Sequence, residues 1–205
     1  IGLLAALVFS VPLVVRSPYY LSVLIMIALH STVVSGLLLL IGCAGQLSLA
    51  QASFYGLGAY GSGLLQVKLG LPVWASMPLA VLLTCLVAAV VGIPTLRLRE
   101  NYLALATLGL AVIIHVLMVE WRGLTGGPSG LLGIRNLEIG GFVFDSDLKV
   151  YYLAWALALA ALLVSRNLVQ SRTGRALQAL KGSEVAAEAM GVKAYRHKMQ
   201  VLTLS

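Results

Sequence analysis

The sequence predicts an all-α, polytopic bundle of transmembrane helices with a short helix on its cytoplasmic side, and three observations carry that expectation. Of 205 residues, 60% are hydrophobic and only 10% charged, with a mean hydropathy of +0.98; a soluble domain carries about 25% charged residues. Charge is missing in blocks: Ser17 to Val67 holds no Asp, Glu, Lys or Arg, nor do Leu69 to Leu96, Asn101 to Val119 and Val150 to Ser165. The charge that remains is gathered, with seven of the fourteen Lys and Arg residues between Arg166 and Lys198.

A hydrocarbon core of ~30 Å is crossed by about 20 helical residues. Segments are therefore expected near 1–15, 20–42, 47–67, 73–96, 102–121 and 150–165, about six spans, with a seventh starting near 199. The chain opens on Ile1 and closes on the apolar run Met199 to Ser205, so 1–205 reads as one transmembrane domain truncated at both ends. The first segment has no basic leader and no small-residue cleavage site before Arg16, which argues against a signal peptide. The block 150–165 is short, but Lys149 and Arg166 can extend toward water at its ends, and Tyr151, Tyr152 and Trp155 suit an interface.

Loop charge sets the orientation. Arg166, Arg172, Arg175, Lys181, Lys193, Arg196 and Lys198 make 166–198 the cytoplasmic loop. Alternation then puts Arg97-Leu98-Arg99 on the cytoplasmic side and 122–149 outside. The net charge of +7 is explained by this asymmetry and calls for no nucleic acid. Thr125-Gly126-Gly127-Pro128-Ser129-Gly130 enforces tight turns in the external loop, and Phe142-Val143-Phe144 before Asp145 suggests a short hairpin or a surface-lying segment. The loop is either a plain connection or a docking surface or external gate, with Thr125, Gly126, Gly127 and Gly130 as the candidate docking residues.

Gly42 to Gln51 interrupts the first long apolar run with two glycines, two glutamines and a serine. Unpaired amides cost several kcal/mol each in hydrocarbon, so this stretch lies at an interface or lines an enclosed cavity. Two readings stand: an ordinary cytoplasmic turn, or part of a solute path with Gly45, Gln46, Ser48 and Gln51 as its polar lining. Ala52/Gly56, Gly58/Ser62 and Ala59/Gly63 have the spacing that lets helices approach closely. His30 sits mid-span beside Ser31 and Thr32, and an intramembrane ionisable group is a functional candidate, although a neutral, hydrogen-bonded histidine is the commoner case. His115 and Glu120 near the end of the fifth segment are five apart and share a helix face poorly.

Several chemistries lack their residues. There is no His-Glu-x-x-His pattern, no phosphate-binding Gly-x-x-x-x-Gly-Lys-Ser/Thr loop, no catalytic triad, and no carboxylate pair deep in a span. Cys43 and Cys85 lie in apolar stretches without ligand spacing and read as small buried hydrophobes. No catalytic or metal-binding residue is assigned; if the chain serves active transport, the energy must enter through another polypeptide.

In the cytoplasmic loop, Thr173 to Leu180 reads as an amphipathic turn broken by Gly182. Ser183 is a natural N-cap, Glu184 suits the first turn of a helix and Gly191 a C-cap. The helix so bounded, Glu184 to Met190, shows a small apolar surface at Val185, Ala186, Ala189 and Met190, of a size to seat in a groove of a soluble partner.

These residues resemble a known family. Ala186-Ala187 followed by Gly191 is similar to the Glu-Ala-Ala-x-x-x-Gly loop of ABC importer permeases, with Val185 where the motif has Glu and Glu184 one residue early. Gly45-Gln46-Leu47-Ser48-Leu49-Ala50-Gln51-Ala52-Ser53-Phe54, Leu96 to Ala104, Leu124 to Leu131 and Ser171 to Val192 resemble, in order, blocks of the branched-chain amino-acid permeases of the LivM type. Ala50 stands where Gly is usual, and Glu100-Asn101 replaces the more usual Gly-Asp/Asn.

The resemblance implies a multi-pass permease subunit of the bacterial inner membrane, carrying leucine, isoleucine and valine inward. It implies a homologous second permease, two ATP-binding subunits holding ATP and Mg, and an extracytoplasmic solute-binding protein as partners within membrane lipid. The chain itself would hold no cofactor and be no enzyme. Glu184, Val185, Ala186, Ala187, Glu188 and Gly191 would face the ATPase, and the Gly126–Gly130 loop the binding protein. Alternatives are a urea or short-amide permease of the same family and a proton-coupled transporter using His30 or Glu120.

Overall fold

The computed structural model describes residues 8–12, 17–46, 48–95, 100–139 and 142–204. Among these the backbone is almost wholly helical. Residues 130–137 are neither helix nor strand, and a two-residue antiparallel ladder pairs Glu138 with Val143 and Ile139 with Phe142, the first of the two readings offered for Phe142-Val143-Phe144. The expected segment 1–15 lies outside the described residues except for helical residues 8–12.

The helices are α1 (Pro18–Ala44), α2 (Gln51–Leu69), α3 (Val73–Thr95), α4 (Glu100–Glu120), the single turn α5 (Arg122–Thr125), α6 (Asp147–Gln170), α7 (Arg172–Gly182), α8 (Glu184–Ala189) and α9 (Ala194–Leu204). Local chemistry sets their ends. Pro18 opens α1, where its fixed φ fits and its missing N–H is not needed. Glycines in the left-handed region end α1 at Gly45 (φ 65°) and α2 at Gly70 (φ 66°), a conformation that costs a residue with a β-carbon about 1–2 kcal/mol.

Among the described residues four helices are long and apolar enough to cross a membrane: α1, α3, Tyr102–Glu120 of α4, and α6. This is fewer than the six spans expected. Of the two not among them, 1–15 lies outside the described residues except for 8–12, and 47–67 is α2, whose glycines, serines and glutamines dilute its apolar content; the further segment expected from 199 falls inside the short α9. The 150–165 segment is corrected in the other direction. Its helix runs from Asp147 to Gln170, so Lys149 and Arg166 are helical residues rather than flanks.

The contacts give the helices their directions. Leu21 packs beside Tyr151, Ala28 beside Ala154 and Ala158, and Leu39, Leu40 and Cys43 beside Leu168 and Val169, so α1 and α6 run parallel. The three alanines let the two backbones approach closely. Tyr151 Oη donates to Val8 O at 2.8 Å, and Phe9 stacks on Tyr152 at 5.4 Å.

The glycines of α2 are where it meets its neighbours. Gly58 faces Thr84 and Gly61 faces Ala80, so α2 and α3 form an antiparallel hairpin, while Gly56 rests on Met118. Leu49 N–H donates to Thr107 Oγ1 at 3.0 Å and Ser53 Oγ to Ala111 O at 3.4 Å, which sets α4 parallel to α2. Gly56, Gly58 and Gly63 thus serve close approach as their spacing suggested, whereas Ala52 and Ala59 are exposed. Finally α9 returns along α3, with Leu202 and Met199 over Gly92. The C-terminal ends of α1, α3 and α6, the start of α2, and all of α7 and α8 therefore share one end of the bundle.

Candidate coupling and translocation sites

The basic loop folds as three short helices. Ser171 caps α7 by accepting Gly174 N–H at 3.2 Å, and Ser183 caps α8 by accepting Ala186 N–H at 3.3 Å. The second cap is the one read from the sequence. α7 is longer than expected, an 11-residue helix that takes in Gly182 and ends at Ser183. α8 stops at Ala189, with Gly191 at φ 86° just beyond, as a left-handed terminator should be.

The faces of α8 divide cleanly. Ala187, 6% exposed, packs with Leu180 of α7 and Ala194 of α9. Ala186, Glu188, Ala189 and Gly191 are exposed, and Met190 is 85% exposed. The side chains of Glu184 and Val185 lie outside the described residues. A solvent-facing methionine between short polar turns is a plastic apolar knob of the kind used at adaptable interfaces, and it was legible as part of the apolar surface. That Ala187 turns inward was not.

This unit is clamped to the bundle. Leu177 of α7 and Val201 of α9, both fully buried, pack on Leu39, Leu40, Cys43 and Ala44 at the end of α1. Lys181 Nζ donates to Gly42 O at 3.1 Å. An ammonium at the C-terminal carbonyls of a helix contributes roughly 0.3–1 kcal/mol, so the apolar contact carries most of the stability and the ammonium sets its register.

The interruption after α1 lies at this same end. Gly45 turns the chain, and Gln46 N–H donates back to Leu40 O at 3.1 Å. Gln46 and Ser48 are each 4% exposed, and Gln46 Oε1 and Ser48 Oγ have no hydrogen-bond partner. Buried acceptors left unpaired cost about 1–3 kcal/mol each. Gln51 begins α2 and is half-buried. The structure brings Gly45, Gln46, Ser48 and Gln51 together but not His30, which is 15 residues back, roughly 22 Å along the helix. His30 is exposed on the outer face of α1 with its Nδ1 2.8 Å from Met26 O. It lines a shallow apolar depression with Val23, Met26, Ile27, Ser31 and Val34. His115 and Glu120 are exposed on α4.

At the opposite end, Thr125 Oγ1 lies 2.6 Å from Met118 O and 3.0 Å from Trp121 O, and accepts Gly127 N–H at 3.2 Å. Gly126 and Gly127 take φ values of 80° and 60°. Lys68 Nζ donates to Gly123 O at 2.6 Å, and Leu131 and Ile134 cover Gly63. Thr125 and Gly127 are buried, so they build the turn and leave Pro128, Ser129 and Leu132, the last 81% exposed, as its outer surface.

Asp145 and Lys149 pair at 2.7 Å before α6. The Lys149 hydrogen bond, a backbone hydrogen bond and the ammonium's charge hold the Asp145 carboxyl below its ordinary range. A depressed carboxyl stabilises above its unfolded pKa and loses that contribution as pH falls through the folded value. Asp145→Asn should therefore melt slightly below the parent at pH 7 and converge with it on acidification or in high salt, as read by thermal unfolding.

The model of a family described as "Branched-chain amino acid transport system / permease component" matches residues 19–205. The chain belongs to this family. Its similarity extends to the permease protein LivM of the high-affinity branched-chain amino acid transport system of Salmonella typhimurium, 32% identical over an alignment of 193 positions covering 83% of this chain. The LivM protein of Escherichia coli is 31% identical over the same share. The chain spans 45% of the length of each of these relatives. No solved structure matches. Both relatives are named as permease proteins of a transport system, and among the described residues of this chain four helices are long and apolar enough to cross a membrane.

Proposed function

We propose that this chain is the membrane-crossing part of an ATP-driven importer of branched-chain amino acids in a bacterial inner membrane. In this reading a homologous second permease completes the path, one of two ATP-binding subunits docks on α8 from the cytoplasm, and a solute-binding protein delivers cargo to the Pro128–Leu132 surface. The substrate class rests on the names of the relatives. The observation that carries the coupling role is α8 itself: a capped helix held by its inner face, with Ala186, Glu188 and Met190 presented outward from the basic end of the bundle.

The directions of the helices support five crossings in the described residues. Parallel α1 and α6 require an odd number of passages between them. Only α2, α3 and α4 are available, so α2 crosses as well. Its 19 residues reach about 28 Å, and its polar and glycine positions face α3 and α4 rather than hydrocarbon. Gln46, Ser48 and Gln51 then sit at the cytoplasmic mouth, where an exiting zwitterion would meet Gln46 Oε1 and Ser48 Oγ, acceptors now unsatisfied.

Met190→Glu tests the docking. Full burial of a methionine contributes about 1.5–3 kcal/mol, and a carboxylate in an apolar groove costs more. The ATPase subunits should therefore bind roughly ten- to a hundredfold more weakly, with uptake falling in step. Because Met190 is already exposed, the permease's own melting temperature should not move. Undiminished ATPase association would refute the assignment of α8.

A further inference from the structure

The last turn of a helix leaves carbonyls without in-helix donors. In α1 one of these, Gly42 O, takes the Lys181 ammonium at 3.1 Å. Lys181 is in the last turn of α7, two residues before Ser183, the N-cap of α8. The apolar contacts around it run in series: Ala187 of α8 against Leu180 of α7, then Leu177 of α7 against Leu39, Leu40, Cys43 and Ala44 of α1. Three residues beyond Gly42 the chain turns at Gly45 into the segment where Gln46 Oε1 and Ser48 Oγ are buried without partners.

From this arrangement we propose that Lys181 is a positioning residue that transmits displacement of α8 to the end of α1, and so to the polar interruption at Gly45–Ala50. Apolar contact is non-directional and lets helices slip along one another. A charge-assisted hydrogen bond to one carbonyl fixes the register, so a push on α8 moves α1 rather than sliding past it. The interruption is the part poised to respond, because its two unpaired acceptors are relieved as soon as movement admits water or solute. This role rests on the reading of α8 as the ATPase-facing helix.

The test uses the full-length permease in its complete transporter, reconstituted in vesicles, with Cys43 kept and Cys85 and every cysteine outside residues 1–205 replaced by serine. Cys43 is buried beside Gly42, so its labelling by a small maleimide reports loosening of the α1 end. Lys181→Met should leave ATP hydrolysis in place while lowering uptake per ATP roughly five- to tenfold, and should make Cys43 labelling indifferent to nucleotide. Lys181→Arg should restore both. The proposal is overturned if Lys181→Met keeps the parental uptake per ATP and nucleotide-dependent labelling, or if Met and Arg variants alike fail to assemble. In either case the docking role of α8 stands if Met190→Glu still releases the ATPase. Retention of the ATPase by Met190→Glu removes both readings together.

Discussion

Gly174→Ala should dislodge α7 from the bundle and abolish uptake. Gly174 is the third residue of α7, and a β-carbon there would run into the main-chain oxygens of Val169 and Leu168. Neither is a side chain that can rotate away, and a packed interior has no slack to absorb the methyl. The only relief is to swing α7 outward. That breaks the cap from Gly174 N–H to Ser171 Oγ, a loss of about 1 kcal/mol, and opens the site of Leu177, which is fully buried. Overpacking alone costs about 1–3 kcal/mol, so the combined destabilisation should reach about 3 kcal/mol. Thermal unfolding of the solubilised full-length protein, alongside uptake in vesicles, measures it. A parental melting temperature would mean that the corner between α6 and α7 is built differently. Gly182→Ala, with nothing within 4 Å of the added carbon, is the matched control.

Gly126→Val should unravel the turn at the other end. Gly126 has a φ of 80°, and an added β-carbon would meet the carbonyl of Gly130. The left-handed backbone alone costs about 1–2 kcal/mol, and a β-branched residue is worse there. Once the turn opens, the Thr125 hydroxyl loses its partners, and Leu131, 2.9 Å from where a Gly63 β-carbon would be, no longer covers α2. Protease added outside the vesicles should cut within 122–149 several times faster than in the parent, and uptake should fall. Gly123→Ala, which has open space and an ordinary φ, should change neither. Equal cleavage of the Val variant and the parent would contradict the geometry of this turn.

Both glycines lie inside blocks that marked the family, Ser171 to Val192 and Leu124 to Leu131, yet nothing in the residue string says which glycine is irreplaceable. Gly182, in the first block, tolerates a side chain in space while Gly174 does not, because only the fold brings the carbonyls of α6 against α7. The same limit explains the misjudged lengths. Hydropathy marks where a segment enters hydrocarbon, so 150–165 was found and the helical ends carrying Lys149 and Arg166 were not. Charged residues continue a helix into the headgroup region without cost to its backbone. His30 and Gln46 looked alike as polar interruptions of one apolar run. One faces outward and the other is buried where α1 ends beside α7 and α9, because α6, α7 and α9 pack against the other side of α1.

What the residues determined unaided were quantities settled over a few positions: that the chain belongs in a membrane, that Gly42 to Gln51 interrupts its apolar run, where Ser183 starts a helix and where Gly191 stops one. Transfer energy, capping hydrogen bonds and backbone φ preferences act within a turn or a single span, so they survive in the bare string. Tertiary structure alone decided that Ala187 points inward while Met190 points out, that α1 and α6 run parallel, and that Lys181 reaches Gly42. These depend on partners up to 139 residues away in the chain, and a side chain's environment is set by whichever helix arrives beside it.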